Sequence, residues 1–275
     1  MGLICIQQKS YFKSKTWCFY VRYFSARTCS TPMVSRIVGG NATTVEDFPS
    51  IVQVEFLSTS SGIWAQSCGG NILTAKYILS SANLFFEVGF YFFFKNRRVR
   101  AGSSCRNTGG QVSNVDVEFN HPTYGLNGTD GDITVVRLLE PLVYSSVIQQ
   151  GIILAQDFVI PDNYPVVIAG WGATELGAME SDELQQTTIY TINNDLCAER
   201  YSNLTIPQPI TKNMICAGVL DVGGKDSCNG DYGGPMYVGE ILVGILSWGG
   251  CGDDNLPGVS TAVSSYTDWI IGTAI

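Results

Sequence analysis

From residue 46 onward, apolar positions gather in short runs set off by clusters of Gly, Asn, Asp and Pro. Residues 50–56, 70–73, 112–117, 133–138, 165–169, 185–190, 235–238 and 241–247 are such runs. Short β-rich segments recurring between turn signals predict the strands of an all-β barrel or sandwich. Helical spacing shows mainly at 263–271, where Trp269 and apolar neighbours follow Ser265; a second short helix is predicted at 195–201. No repeat of fixed period occurs, and no long linker follows residue 36.

One segment breaks the pattern. Residues 84–95 read LFFEVGFYFFFK, with Glu87 and Lys95 as the only charges. The run is too short to span a bilayer. Two readings stay open: an exposed contact surface, or retained non-coding sequence.

A chain of 275 residues with 45% hydrophobic content can bury a core, either as one large all-β unit or as two small domains. The net charge of −8 is unevenly spread: residues 1–36 hold six Lys or Arg and no acid, leaving −14 on the rest. Phosphate backbones and anionic membranes would repel that acidic body, which disfavours nucleic acid or lipid as the main partner, so no nucleic acid is expected and basic or neutral proteins fit better. Nine cysteines and three N-x-T sequons, at Asn41, Asn127 and Asn203, together point to the oxidising secretory route and an extracellular, glycosylated product. No run of 18 apolar residues exists, so no membrane span is expected. The first 36 residues fit no export signal; Arg-rich and acid-free, they read as transit-like or as a misplaced first exon.

Four motifs follow one another in a fixed order: Arg36-Ile37-Val38-Gly39-Gly40, Leu79-Ser80-Ser81-Ala82-Asn83-Leu84, Asp132-Ile133-Thr134-Val135-Val136, and Asp226-Ser227-Cys228-Asn229-Gly230-Asp231-Tyr232-Gly233-Gly234-Pro235. Each is weak alone. As an ordered set they resemble the chymotrypsin/trypsin-like serine protease family over residues 37–275. The resemblance implies two six-stranded antiparallel β-barrels of Greek-key type, at about 37–150 and 151–262, with a C-terminal helix at about 263–275 after a propeptide-like region at 1–36.

By the same resemblance, cleavage after Arg36 would free the Ile37 amine to pair with Asp231 as a conformational latch. The general-base position holds Asn83, whose carboxamide accepts no proton near neutral pH. Asp132 matches the aspartate that orients the base, and here it is left to bond Asn83 or serine hydroxyls. The nucleophile position holds Tyr232, a phenol of unperturbed pKa near 10 that does not replace an activated serine. The oxyanion hole would use the N–H groups of Gly230 and Tyr232. Asp226 occupies the position that selects Arg or Lys, Gly249 and Gly258 match glycines that keep that pocket open, and Ser247, Trp248 and Gly249 match the strand that pairs with a bound peptide. The only histidine, His121, belongs to a surface loop in that family.

The resemblance also implies disulfides Cys197–Cys216 and Cys228–Cys251. Cys68 loses its expected partner because Leu84 replaces a cysteine, and Cys105 is the candidate substitute. Cys5, Cys18 and Cys29 precede the activation site, and the odd total leaves at least one thiol unpaired or intermolecular. Gly223-Gly224-Lys225 lacks the first glycine and the Ser or Thr of a phosphate loop, and one histidine without C-x-x-C offers no zinc site, so no metal or cofactor is expected. The reading is a secreted, catalytically silent protease homologue that binds proteins or peptides with exposed Arg or Lys, protease inhibitors or cascade proteases. The alternative is an active endopeptidase, cleaving after Arg or Lys, whose recorded sequence contains errors.

Overall fold

The structure is a computed structural model that describes the backbone of residues 2–10 and 13–21, and residues 29, 37–58, 60–84, 96–173, 175, 177–205 and 207–275 more generally. Met1–Pro32 forms one unit and Met33–Ile275 another. In the first, β1 (Gly2–Ser10) and β2 (Lys13–Val21) pair antiparallel with Cys5 opposite Cys18.

The second unit contains two closed antiparallel barrels. A short strand, β3 (Asn41–Ala42), leads into the first barrel, built from β4 (Ile51–Leu57), β5 (Trp64–Thr74), β6 (Tyr77–Ser80), β7 (Arg97–Ala101), β8 (Gln111–Asn120) and β9 (Thr134–Leu138) in the order β4-β5-β6-β9-β8-β7. After β10 (Ile152–Ile153), the second is built from β11 (Pro165–Gly170), β12 (Gln185–Ile192), β13 (Met214–Gly218), β14 (Pro235–Val238), β15 (Ile241–Gly249) and β16 (Gly258–Ala262). Its order is β15-β14-β11-β12-β13-β16, closed by β15 against β16. Both barrels thus follow one connectivity: three strands in succession, then three that return in reverse beside the first. This agrees with the Greek-key arrangement implied by the motifs.

Period-two alternation explains the first core. Val52, Val54 and Phe56 of β4 join Ile72, Ile78, Val99, Val136 and Leu138 in one buried cluster. The intervening Glu55 is fully buried as well, held by Arg98 Nε and Arg100 Nε at 2.5 Å each. That pairing makes a strand of the charged β7, which hydrophobic patterning passes over. β5 is longer than the expected 70–73, and β6, β13 and β16 fall outside the apolar runs named above, because short or small-residue segments give little periodic signal.

Asn193 caps α1 (Asn194–Ser202), its side chain accepting from the N–H groups of Asp195 and Leu196. The chain ends in α2 (Thr267–Thr273), shorter than the expected helix because 263–265 is a separate 3-10 turn. No described helix is long and apolar enough to cross a membrane.

Candidate functional site

The barrels touch through glycines. A Cβ on Gly69 of β5 would lie 2.7 Å from Gly234 Cα, and one on Gly233 would lie 2.5 Å from the Gly69 carbonyl oxygen. This close approach lets Gly69 N donate to Tyr232 O at 2.8 Å. It brings the turn after β6 beside the 226–235 loop and the end of β15.

In that turn, Asn83 N donates to Asp132 Oδ1 at 2.7 Å. Ser247 Oγ donates to Asp132 Oδ2, and Thr261 Oγ1 to the Asp132 carbonyl at 2.8 Å. Asp132 is fully buried, and burial pushes its carboxyl up to about 6 against the pull of hydrogen bonds from Ser247, Asn83 and Ala82. The Asn83 carboxamide makes other bonds: Oδ1 accepts from Ser81 Oγ at 3.1 Å, and Nδ2 donates to Ser247 O at 3.0 Å.

Tyr232 is half-buried, packs against a cluster that includes Met236 and Leu246, and donates from Oη to Gly249 O at 3.3 Å. Burial first, and then the charges of Asp226 and Asp231, push its phenol up to about 12. Asp226 is 2% exposed and accepts from Ser227 N at 2.7 Å, and burial pushes its carboxyl up to about 7. Glycine is required around it: a Cβ on Gly258 would lie 2.5 Å from Asp226 Oδ1, and one on Gly250 would lie closer still to Oδ2. Gly249, at φ +81°, faces Tyr201 Oη, which donates to Pro257 O at 2.5 Å. Trp248 packs edge-on against the Tyr201 ring. Gly230 has φ +94°, and its carbonyl accepts from Gln66 Nε2 at 2.7 Å.

On the far side of the loop, Ile37 is fully buried and Val38 forms a bridge to Asp226. Asp231 is also fully buried; its oxygens accept from Gly172 N at 2.7 Å and Cys228 N at 3.1 Å. Burial pushes this carboxyl up to about 7. The trypsin family model matches residues 37–270.

The chain belongs to the trypsin family.

It is 38% identical over 237 residues to "Trypsin, alkaline C" of Manduca sexta, an alignment that covers 86% of this chain and 90% of the relative. Trypsin CFT-1 of Choristoneura fumiferana is 38% identical over 241 residues, covering 87% and 91%. The vitellin-degrading protease of Bombyx mori is 32% identical over 255 residues, covering 92% and 91%.

In this trypsin-family protein Cys197–Cys216 and Cys228–Cys251 are disulfides. The Cys68–Cys105 pairing expected from the sequence does not form. Cys68 is a free, buried thiol whose pKa burial raises, whereas Cys105 is disulfide-bonded, as is Cys29. Leu84 packs against the cluster that contains Cys68 and fills apolar space there. Asn41, Asn127 and Asn203 are exposed. The His121 ring lies edge-on to Tyr266 and Trp269 at 4.7 and 4.8 Å beside a 330 Å³ cavity that Asp130 also lines. Arg36 and the aromatic run from 85 to 95 lie outside the described residues.

Sequence reasoning missed Ser81, Gln66, Tyr201 and Gly250. Ser81 lay inside a quoted motif two residues before Asn83, a spacing that allows a local side-chain bond. The others meet the site only through tertiary contacts and carry no local signal.

Proposed function

We propose that this trypsin-family chain is a secreted, catalytically silent homologue acting as a protein- or peptide-binding regulatory module in a proteolytic pathway. Residues 37–275 form its protease-like domain, and 1–36 its propeptide-like region. The carrying observation is the chemistry at positions 232 and 83. An attacking hydroxyl needs a base within hydrogen-bond reach to take its proton. Tyr232 Oη instead bonds a carbonyl, that of Gly249, and Asn83 spends its carboxamide on Ser81 and Ser247. A phenol pushed up to about 12 holds its proton at neutral pH.

The remaining parts keep the layout of a binding body. Asp132 acts as a structural acceptor, Asp226 with Gly249 and Gly258 retains the base of a pocket of the kind suited to Arg or Lys, and Ser247 to Gly249 retain the position of a peptide-pairing strand. Gly230 and Tyr232 mark the oxyanion-hole position. Cleavage after Arg36 would deliver an ammonium to Asp231, whose present donors are neutral backbone groups. Disulfides and the exposed sequons at Asn41, Asn127 and Asn203 fit an extracellular glycoprotein.

The test is to cut after Arg36 with immobilised trypsin, remove it, and assay an Arg-linked chromogenic peptide. The wild type should give no turnover, and the Tyr232→Ser, Asn83→His double variant should gain it. Turnover by the wild type would overturn the proposal. A second reading, an active endopeptidase with an erroneous record, draws on the retained Asp132 and Asp226; a serine codon at position 232 in the transcript would establish it.

A further inference from the structure

The outer edge of β15 opens partway along its length. Its ladder to β14 ends at Ile245, Leu246 still exchanges hydrogen bonds with Gly233 and Gly234, and pairing with β16 continues to Gly249. Ser247 falls at a bulge in the ladder to β16, between Leu246 and Trp248, and Gly249 lies two residues farther on. Their carbonyls are acceptors of the kind an added peptide strand needs. Both are occupied by side chains from outside the sheet: Asn83 Nδ2 bonds Ser247 O at 3.0 Å, and Tyr232 Oη bonds Gly249 O at 3.3 Å.

The Tyr232 ring also lies between the 226–233 loop and the end of β15. It is anchored at one end beside Asp231 and at the other on Gly249, within the field of Asp226. Asp226 borders the same end of β15: a Cβ on Gly250, next to Gly249, would overlap Asp226 Oδ2.

We propose that Asn83 and Tyr232 close the cleft from within, Asn83 and Tyr232 capping the β15 acceptors and the Tyr232 ring plugging the approach to Asp226 against guanidinium, amidinium and ammonium ligands. The inference rests on the non-catalytic reading above and deepens it: the two replacements both lack the chemistry of a base and nucleophile and also gate the pocket. A gate of this kind weakens binding by the fraction of time it stands open, so a ring in place about 99% of the time weakens it about 100-fold.

The probe is p-aminobenzamidine, titrated by fluorescence into the full chain before and after treatment with immobilised trypsin. The wild type and Tyr232→Phe, which keeps the ring, should show no saturable binding at concentrations where Tyr232→Gly binds, a gap of about 100-fold. Adding Asp226→Ser to Tyr232→Gly should abolish the gain. Thermal melts identify any variant that has not folded, in which case Tyr232→Ala replaces Tyr232→Gly. Binding by the wild type as tight as by the glycine variant would overturn the gate, and so would failure of the folded small-residue variants to bind in both the cut and uncut forms. Chromogenic turnover measured on the same wild-type sample separates the two claims: turnover sinks the non-catalytic reading, whereas tight binding without turnover sinks only the gate.

Discussion

Asp231 gives the uncut chain a pH dependence that one substitution isolates. Its carboxyl is fully buried, among the described residues it accepts from two backbone N–H groups, and burial carries it from 3.8 to about 7. Between about pH 4 and 7 the folded chain therefore binds a proton that the unfolded chain has released. A group with a raised folded value stabilises most at low pH, so its contribution is lost as pH rises through that window and then levels off. The interval corresponds to about 4 kcal/mol. Asp231→Asn removes the titration and keeps the shape; its amide NH2 faces one of the two donors, at a pH-independent cost of about 1–3 kcal/mol. Urea unfolding of both chains, disulfides intact, is measured from pH 4 to 8. The stability of the wild type minus that of the variant should fall by about 4 kcal/mol across this range. Asp132, Asp226 and His121 titrate in both chains and largely cancel in the difference. A flat difference would refute the reasoning. Repeating the series after cleavage at Arg36 should shrink the fall, because an Ile37 ammonium would favour the ionised Asp231.

Two further outcomes follow from the packing. Glu55→Ala strands the buried Arg100, which among the described residues keeps its bond to the Gly109 carbonyl, and should cost about 3–5 kcal/mol in urea unfolding; a loss under about 1 kcal/mol would show that the buried pair adds little. His121 is the only histidine, so its NMR titration is unambiguous: burial against Tyr266 and Trp269 outweighs the opposing pull of Asp130 and holds its midpoint below 6.5. Its contribution to stability is present above 6.5 and lost as pH falls through the lower folded value; a midpoint at or above 6.5 would contradict this.

Much of the site was legible because its parts lie in short contiguous motifs. Asp132, Asn83 and the 226–235 loop can each be named from neighbours in the chain, and short β-rich runs suffice to suggest an all-β architecture. The charged β7 was not legible, since Arg98 and Arg100 are accommodated by Glu55, more than 40 residues earlier. The matching strand orders of the two barrels leave no repeat of fixed period in the sequence, because connectivity is a property of pairing and not of residue spacing. Nor could the chain alone deny Cys68 a partner: Cys105 is close in sequence logic, but a disulfide depends on where two Cβ atoms meet.

The sequence by itself determined which chemical groups stand at positions 83, 132, 226, 231 and 232, and therefore which proton transfers are available there. Only the tertiary structure decided what those groups touch. Whether Tyr232 points into solvent or toward Gly249, and whether Asn83 faces Asp132 or the Ser247 carbonyl, depends on the space and the unpaired acceptors left when two barrels close against each other through Gly69, Gly233 and Gly234. The longest of those contacts join residues more than 160 positions apart, and no local pattern encodes them.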